Sequence, residues 1–287
     1  MTLRRPRSER LAQAVIRRPY RDAHGDKGWL APFARAQRHR TVRMDIAVEG
    51  WPTFAKPLRI AFLSDFHTGS HTDDVARLTA IVEEAATFKP DLALFGGDYM
   101  NMHLAGGGRV PPHVIAAMLA RLDGVHGRVA ILGNHDYIYG EEDVAAALRG
   151  RGITVLDHER RTVTFGGHAI DIVGVPDAHV VRQEAKELVA GLRPERPSIV
   201  LAHDPAWFAD VPAGPFLTLS GHTHGGQVKL PGIGILKNSS VAPLHWSHGL
   251  VAEEGRTLYV SAGLGTSILP LRIGVPPEFA ILDVNGS

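Results

Sequence analysis

"LRIAFLSDFH", Leu58 to His67, begins as an apolar run and ends as a polar one. Ile60, Ala61, Phe62 and Leu63 follow one another without a polar interruption, which is how a strand reads when both of its faces are covered. The run then breaks into Ser64, Asp65 and His67. In an open α/β sheet, ligands bind beyond the carboxyl ends of the strands, so this stretch raises a specific expectation. If it is a central strand, other strands of the chain should end the same way. Four others do: "ALFGGDY" (Ala93–Tyr99), "AILGNHD" (Ala130–Asp136), "IVLAHD" (Ile199–Asp204) and "TLSGHTH" (Thr218–His224). Each passes from apolar residues through Gly, Ser or Ala into Asp, Asn or His.

The segments between these strands have helical character. "TDDVARLTAIVEEAATF" places Val75, Leu78, Val82 and Ala85 on one stripe, with Thr72 as a capping residue. "PPHVIAAMLARL" from Pro111 is a second helix, and "EEDVAAALRG" is a third that stops at Gly150. Upstream, "TVRMDIAV" alternates Val42, Met44, Ile46 and Val48 with polar residues or Ala, as a half-buried strand does. With "ITVL" from Ile153, the front half alternates strands and helices, which predicts an α/β sandwich with a largely parallel sheet. The second half is richer in strands. "RTVTFGGHAIDIVGV" predicts a hairpin closed by Gly166 and Gly167, a helix follows near Val180 to Gly191, and "SIVLAHD", "FLTLSGHTHGGQVKL", "TLYVSAG" and "PPEFAILDV" predict further strands. There are no internal repeats, so one domain over residues 41–287 with two packed sheets is the simplest organisation.

The chain has 287 residues and no cysteine. That excludes disulfides and thiolate metal sites, so any metal is left to His, Asp, Glu or Asn. The net charge of +1 conceals an asymmetry: residues 1–43 hold 12 of the 31 basic residues but only 3 of the 30 acidic ones. A basic arm over residues 1–40 therefore precedes an acidic body. "LAQAVI" (Leu11–Ile16) is too short for the apolar core of a signal peptide, and Arg4–Arg5 is not followed by an apolar stretch. The chain is expected in the cytoplasm, with the arm available for peripheral contact with an anionic inner membrane leaflet. Each basic residue is worth about 1 kcal/mol there.

The strand endings deliver Asp65, His67, Asp98, Asn134, His135, His203, His222 and His224 to one rim. Asp65 with His67, and His222 with His224, are two apart and point the same way on an extended backbone. A lone D-x-H or H-x-H is usually a surface turn. Five such endings on one chain are different, because gathering imidazoles and carboxylates at one rim is costly without a cation to pair them. The mixed donor set suits Mn, Fe or Zn.

Taken together, "DFH", "GGD", "GNHD", "HD" and "GHTH" resemble the motif series of the calcineurin-like metallophosphoesterase superfamily, from about Leu58 to Asp283. "SGHTHGGQVKLP" and "YVSAGLGTSILPLRIGVPPEF" are similar to its branch of bacterial phosphodiesterases and a UDP-diacylglucosamine pyrophosphatase. The resemblance implies a four-layer sandwich of two mixed β-sheets flanked by helices. It also implies two divalent metals, with Mn favoured. Asp65, His67 and His224 would hold one, Asn134, His203 and His222 the other, and Asp98 would bridge them. Hydrolysis of a phosphodiester or pyrophosphate by metal-activated water then follows, with the substrate a membrane lipid or nucleotide-sugar lipid in keeping with the branch. His135 would serve as general acid or transition-state hydrogen-bond donor. Asp136 either orients His135 or caps the turn. Tyr99 and Asn101 adjoin motif residues and are candidates for the substrate cleft. Arg272 is a candidate phosphate fork, or else a strand-edge arginine. Two competing functions are a non-catalytic scaffold, which would be expected to have lost ligands, and a nuclease, which the acidic body disfavours, so no nucleic-acid partner is expected.

Overall fold

A computed structural model describes residues 36–71, 74–102, 108–176, 183–235, 237–267 and 271–287. Most of the basic arm, the expected cap Thr72 and the expected start of the helix near Val180 lie outside the described residues.

The doubly covered run becomes strand β2 (Leu58–Leu63), at the heart of a six-stranded sheet. Its partners are β1 (Arg40–Val48), β3 (Leu92–Phe95), β4 (Arg128–Ala130), β5 (Thr154–Val155) and β14 (Glu278–Gly286), in the order β1-β14-β2-β3-β4-β5. Strands β2 to β5 run parallel, as the strand–helix alternation requires. The C-terminal strand β14 inserts between β1 and β2, parallel to the first and antiparallel to the second, so the sheet is mixed. Sequence periodicity predicts β14 as a strand but says nothing of this placement.

The second sheet is built from β6 (Arg160–Phe165), β7 (His168–Val175), β8 (Ser198–Ala202), β9 (Phe216–Ser220), β12 (Gly249–Glu253) and β13 (Arg256–Val260), in the order β12-β13-β9-β8-β7-β6. The β6–β7 hairpin closes as predicted at Gly166 and Gly167, whose φ angles of 56° and 81° demand the freedom of glycine. A small ribbon of β10 (Lys229–Leu230) and β11 (Gly234–Ile235) projects beyond the "GHTH" segment.

Strand periodicity builds the layers. In β2, Ile60 and Phe62 face the second sheet and pack with Ile172, Ile199, Leu217 and Tyr259. Ala61 and Leu63 face the other way, against the helices α1 (Asp74–Thr87), α2 (Pro112–Leu119) and α3 (Asn134–Arg149). The outer face of the second sheet is covered by α4 (Gln183–Ala190) and the turn at Pro205–Ala209. The result is helix, sheet, sheet, helix: the expected four layers. Each fully buried Leu, Ile or Phe contributes about 1.5–3 kcal/mol, so the core between the sheets fixes their separation and hence the distance between their strand ends.

One element differs from its sequence reading. The helix expected from Glu141 begins at Asn134, with a break at Gly140 (φ 141°, ψ 98°). Its first stretch, "NHDYIY", is poor in strong helix formers and is held by tertiary bonds instead. Asn134 and His135 therefore stand in the first turn of a helix.

Candidate metal centre and active site

The carboxyl ends of β2, β3, β4, β8 and β9 converge where the two sheets meet. Cross-sheet bonds lock them together: Nδ1 of His203, after β8, donates to the carbonyl of Gly96 after β3 at 2.8 Å, and His222 N, after β9, donates to Oδ1 of Asp65 after β2 at 2.9 Å. Asp65, His67, Asp98, Asn134, His203, His222 and His224 are all buried there.

The backbone that presents them is not extended. Asp65, His67, Asp98, His222 and His224 have φ angles of 51°, 39°, 56°, 65° and 52°. The left-handed region costs a non-glycine residue roughly 1–2 kcal/mol. The chain turns sharply at each of these residues and sends His222 toward His203 but His224 toward His67, correcting the reading of Asp65–His67 and His222–His224 as extended pairs. Main-chain bonds offset the strain, with Asp65 N donating to Gly97 O and His67 N to Asp98 O, both at 2.9 Å. Concentrated strain of this kind belongs to functional sites.

The side chains form two clusters joined by Asp98. Nε2 of His67 lies 3.1 Å from Nε2 of His224, which in turn lies 3.6 Å from Asp65. Nε2 of His203 lies 3.2 Å from Oδ1 of Asn134 and 3.2 Å from Nδ1 of His222. Between the clusters, Oδ2 of Asp98 stands 3.5 Å from Nε2 of His67 and 3.4 Å from Nε2 of His203. The outward nitrogens fix the tautomers. Nδ1 of His67 and of His203 face the carbonyls of Met100 and Gly96, whereas His222 uses Nε2 on the carbonyl of Ser239. Each ring therefore turns its other nitrogen inward.

The electrostatics match a cation pocket. Burial pushes the Asp65 carboxyl up to about 6. Burial acts the same way on Asp98, but His203, His135 and His67 hold it well below the usual carboxylate range. Burial is outweighed at His203 as well, where Asp98 lifts the imidazole to about 10. Burial and the neighbouring His203 drop His222 to about 4, and burial with His67 and Arg272 takes His224 well below its ordinary value. The two imidazoles of "HTH" are thus held neutral, the form that donates to metals. Oδ2 of Asp65 is buried and accepts no hydrogen bond, a lone-pair donor that a divalent cation would satisfy. The ligand atoms of Asp65, His67 and His224, and those of Asp98, His203 and His222, lie within 4.8 Å of one another. The donor set fits divalent metal.

His135 sits half-buried at the cluster's edge. Its N–H donates to Oδ1 of Asp98 at 2.9 Å, its ring stands edge-on to His67 at 4.7 Å, and Oγ of Ser267 lies 3.4 Å from its Nε2. Asp136 proves to be a clamp. Its fully buried carboxylate accepts the N–H groups of Gly133 (2.9 Å), Asp98 (2.8 Å), Tyr99 (2.9 Å) and Met100 (3.1 Å). It caps α3 and fixes the Asp98 loop at once. Burial and Asp98 push its pKa up to about 8, against the pull of the N–H donors.

The three expected substrate residues are buried and bond to main-chain carbonyls. Tyr99 is fully buried, packs on Phe66, and donates its hydroxyl to the carbonyls of Ile131 (2.9 Å) and Phe95 (3.3 Å), so it is a core residue. Asn101 is also buried and donates to the carbonyl of Gly108 at 2.9 Å, bracing its loop. Arg272 is buried behind His224, its guanidinium spent on main-chain carbonyls. In each case a polar side chain near a motif finds its partners in the folded main chain. Sequence reading missed Ser267 and Asp204, whose carboxylate lies 3.6 Å from Nε2 of His222. The second was legible as the Asp of "IVLAHD".

A two-sheet α/β sandwich with a buried His/Asp/Asn cluster at its joined strand ends has the donors of a metal-dependent hydrolase, and the family match makes it a phosphoesterase. The chain belongs to the calcineurin-like phosphoesterase family, whose family model matches residues 58–226. Phosphodiesterase YaeI of Escherichia coli (strain K12) is 30% identical over 237 residues, covering 80% of this chain and 83% of that protein. YpbG of Bacillus subtilis (strain 168) is 31% identical over 235 residues, covering 80% and 82%. The metallophosphoesterase YkuE of the same organism is 26% identical over 277 residues, covering 92% and 90%. Among solved structures, a 5'-nucleotidase precursor from Thermus thermophilus gives a TM-score of 0.44 at 17% identity, over 71% of this chain and 48% of that one. No helix among the described residues is long and apolar enough to cross a membrane.

Proposed function

We propose that the chain hydrolyses a phosphodiester or pyrophosphate with two divalent metal ions. Asp65, His67 and His224 would hold one, Asn134, His203 and His222 the other, and Asp98 both. The observation that supports this reading best is the placement of Asp98, a single carboxylate oxygen 3.5 Å from a nitrogen of the first group and 3.4 Å from a nitrogen of the second. Bound divalent ions supply Lewis acidity and bring the pKa of a water from about 16 to near 7.

The chain's own residues do the rest. Asp98 and Asp65 bring negative charge that offsets the cations, and His222 and His224, held neutral, add donors without adding charge. His135, placed by its main-chain bond to Asp98 and the nearby Ser267 hydroxyl, donates a proton or hydrogen bond to the leaving oxygen. The diester preference rests on likeness to the protein named phosphodiesterase and on the branch that "GHTHGGQVKLP" resembles. That branch also favours a lipid-borne pyrophosphate and peripheral contact with an anionic membrane through the basic arm.

The test is chelator-treated protein titrated with Mn, Fe and Zn while hydrolysis of aryl monoesters, aryl diesters and a nucleotide-sugar lipid is followed. Restoration of diester hydrolysis with two equivalents is expected, and Asp98→Ala should lose metal and activity together. Undiminished hydrolysis by metal-free protein would refute the reading.

A further inference from the structure

Arg272 is 4% exposed, yet it carries a guanidinium whose hydrogen bonds go to main-chain carbonyls. Nε donates to Gly265 O at 3.0 Å, and Nη2 to Gly265 O at 2.5 Å, Ala262 O at 2.7 Å and Gly263 O at 3.2 Å. Nη1 donates to His224 O at 3.4 Å, and Nη2 lies 3.3 Å from Nδ1 of the same histidine. Burial lowers its pKa to about 10, which leaves it charged at neutral pH. Its own backbone is anchored, since Gln37 donates to its carbonyl at 2.6 Å.

The loop it grips has no slack. Gly265 N donates to Asp65 O at 2.7 Å. A Cβ at Gly263 would stand 2.5 Å from Cβ of Asp65, and one at Gly265 would stand 2.8 Å from Cβ of His67. Any shift of the loop is therefore a shift of Asp65 and His67. The guanidinium thus holds, on one side, the loop that packs behind two members of the first group, and on the other side the main chain of the third member, through the carbonyl of His224. None of these hydrogen bonds, all within the described residues, goes to Asn134, His203 or His222.

We infer that Arg272 is a positioning residue that keeps Asp65, His67 and His224 in register as one metal-binding group, and that the group around His203, tied to it through Asp98 and the His222 N–H on Asp65, is affected less by its loss. This inference rests on the two-metal reading above. Lysine is no substitute, because a single ammonium lacks the planar fork that spans four carbonyls.

The experiment is calorimetric titration of the full chain with Mn, on wild type, Arg272→Met and Arg272→Lys, with thermal unfolding as a check on folding. Wild type should bind two equivalents. Both variants should keep one equivalent at near wild-type affinity and bind the other roughly 10–100-fold more weakly, the range seen when residues supporting metal ligands are lost. Wild type that binds no Mn would overturn the two-metal reading. Wild type with two equivalents and variants that match it, or variants weakened equally at both sites, would overturn the role of Arg272 alone. If Arg272→Met does not fold, Arg272→Lys decides by the same criterion.

Discussion

The carboxylate of Asp136 accepts the backbone N–H of Asp98 at 2.8 Å, although 38 residues separate them. Through this bond, the first turn of α3 fixes the loop that carries the proposed bridging residue. Asp136→Asn replaces one acceptor oxygen with an amide that faces main-chain N–H donors. Each stranded donor costs about 1–3 kcal/mol. The variant should unfold at a lower temperature by calorimetry and bind Mn more weakly, whereas a residue that merely oriented His135 would leave both unchanged.

His135 touches the cluster but presents its Nε2 toward Ser267. His135→Ala should keep its metal content and slow turnover of diesters with poor alkoxide leaving groups by roughly 10²–10⁴-fold. Aryl diesters, whose leaving groups need no proton, should suffer less. Equal losses on the two substrate types would point to transition-state charge stabilisation instead.

Glu278, at the start of β14, is buried with Arg40, His248, Tyr259 and the N–H of Ala262 around it. Burial raises its pKa, but His248, the Ala262 N–H and Arg40 outweigh it and hold the carboxyl at about 2, from an unfolded value of 4.5. A depressed pKa gives stability that is complete above the unfolded value and is lost as pH falls toward the folded one. The contribution is on the order of 3 kcal/mol. Urea midpoints for wild type should fall between pH 4.5 and about 2, and Glu278→Gln should show a lower midpoint at pH 7 with a shallower acid dependence.

Gln37, His39 and Arg40 belong to the expected arm, yet they bond to the body: Gln37 to the carbonyl of Arg272, His39 to Glu84 on α1, and Arg40 to Glu278. Removal of residues 1–40 should therefore lower stability and Mn affinity below those of a chain cut after residue 35, which keeps these bonds, at a cost of about 1–3 kcal/mol. Identical melting curves for the two truncations would show that these bonds contribute nothing.

The local pattern of the chain determined the strands, the helices and the rim. An apolar run such as Ile60–Leu63 favours a doubly covered strand, and a polar ending such as Ser64–Asp65 favours the end of that strand, so both are written in consecutive residues. The grouping of Asp65, His67, Asp98, Asn134, His203, His222 and His224 was legible for the same reason. Tertiary structure alone decided what depends on partners distant in sequence. It put β14 between β1 and β2, started α3 at Asn134 through the bonds of Asp136, and turned Asp65 and His222 into left-handed conformations that neighbouring main chain sustains. It also gave the side chains of Tyr99, Asn101 and Arg272 main-chain carbonyls as partners. A side chain's type states which bonds it can make, but the acceptor it finds is set by how two sheets close on one another, and no window of sequence contains both partners.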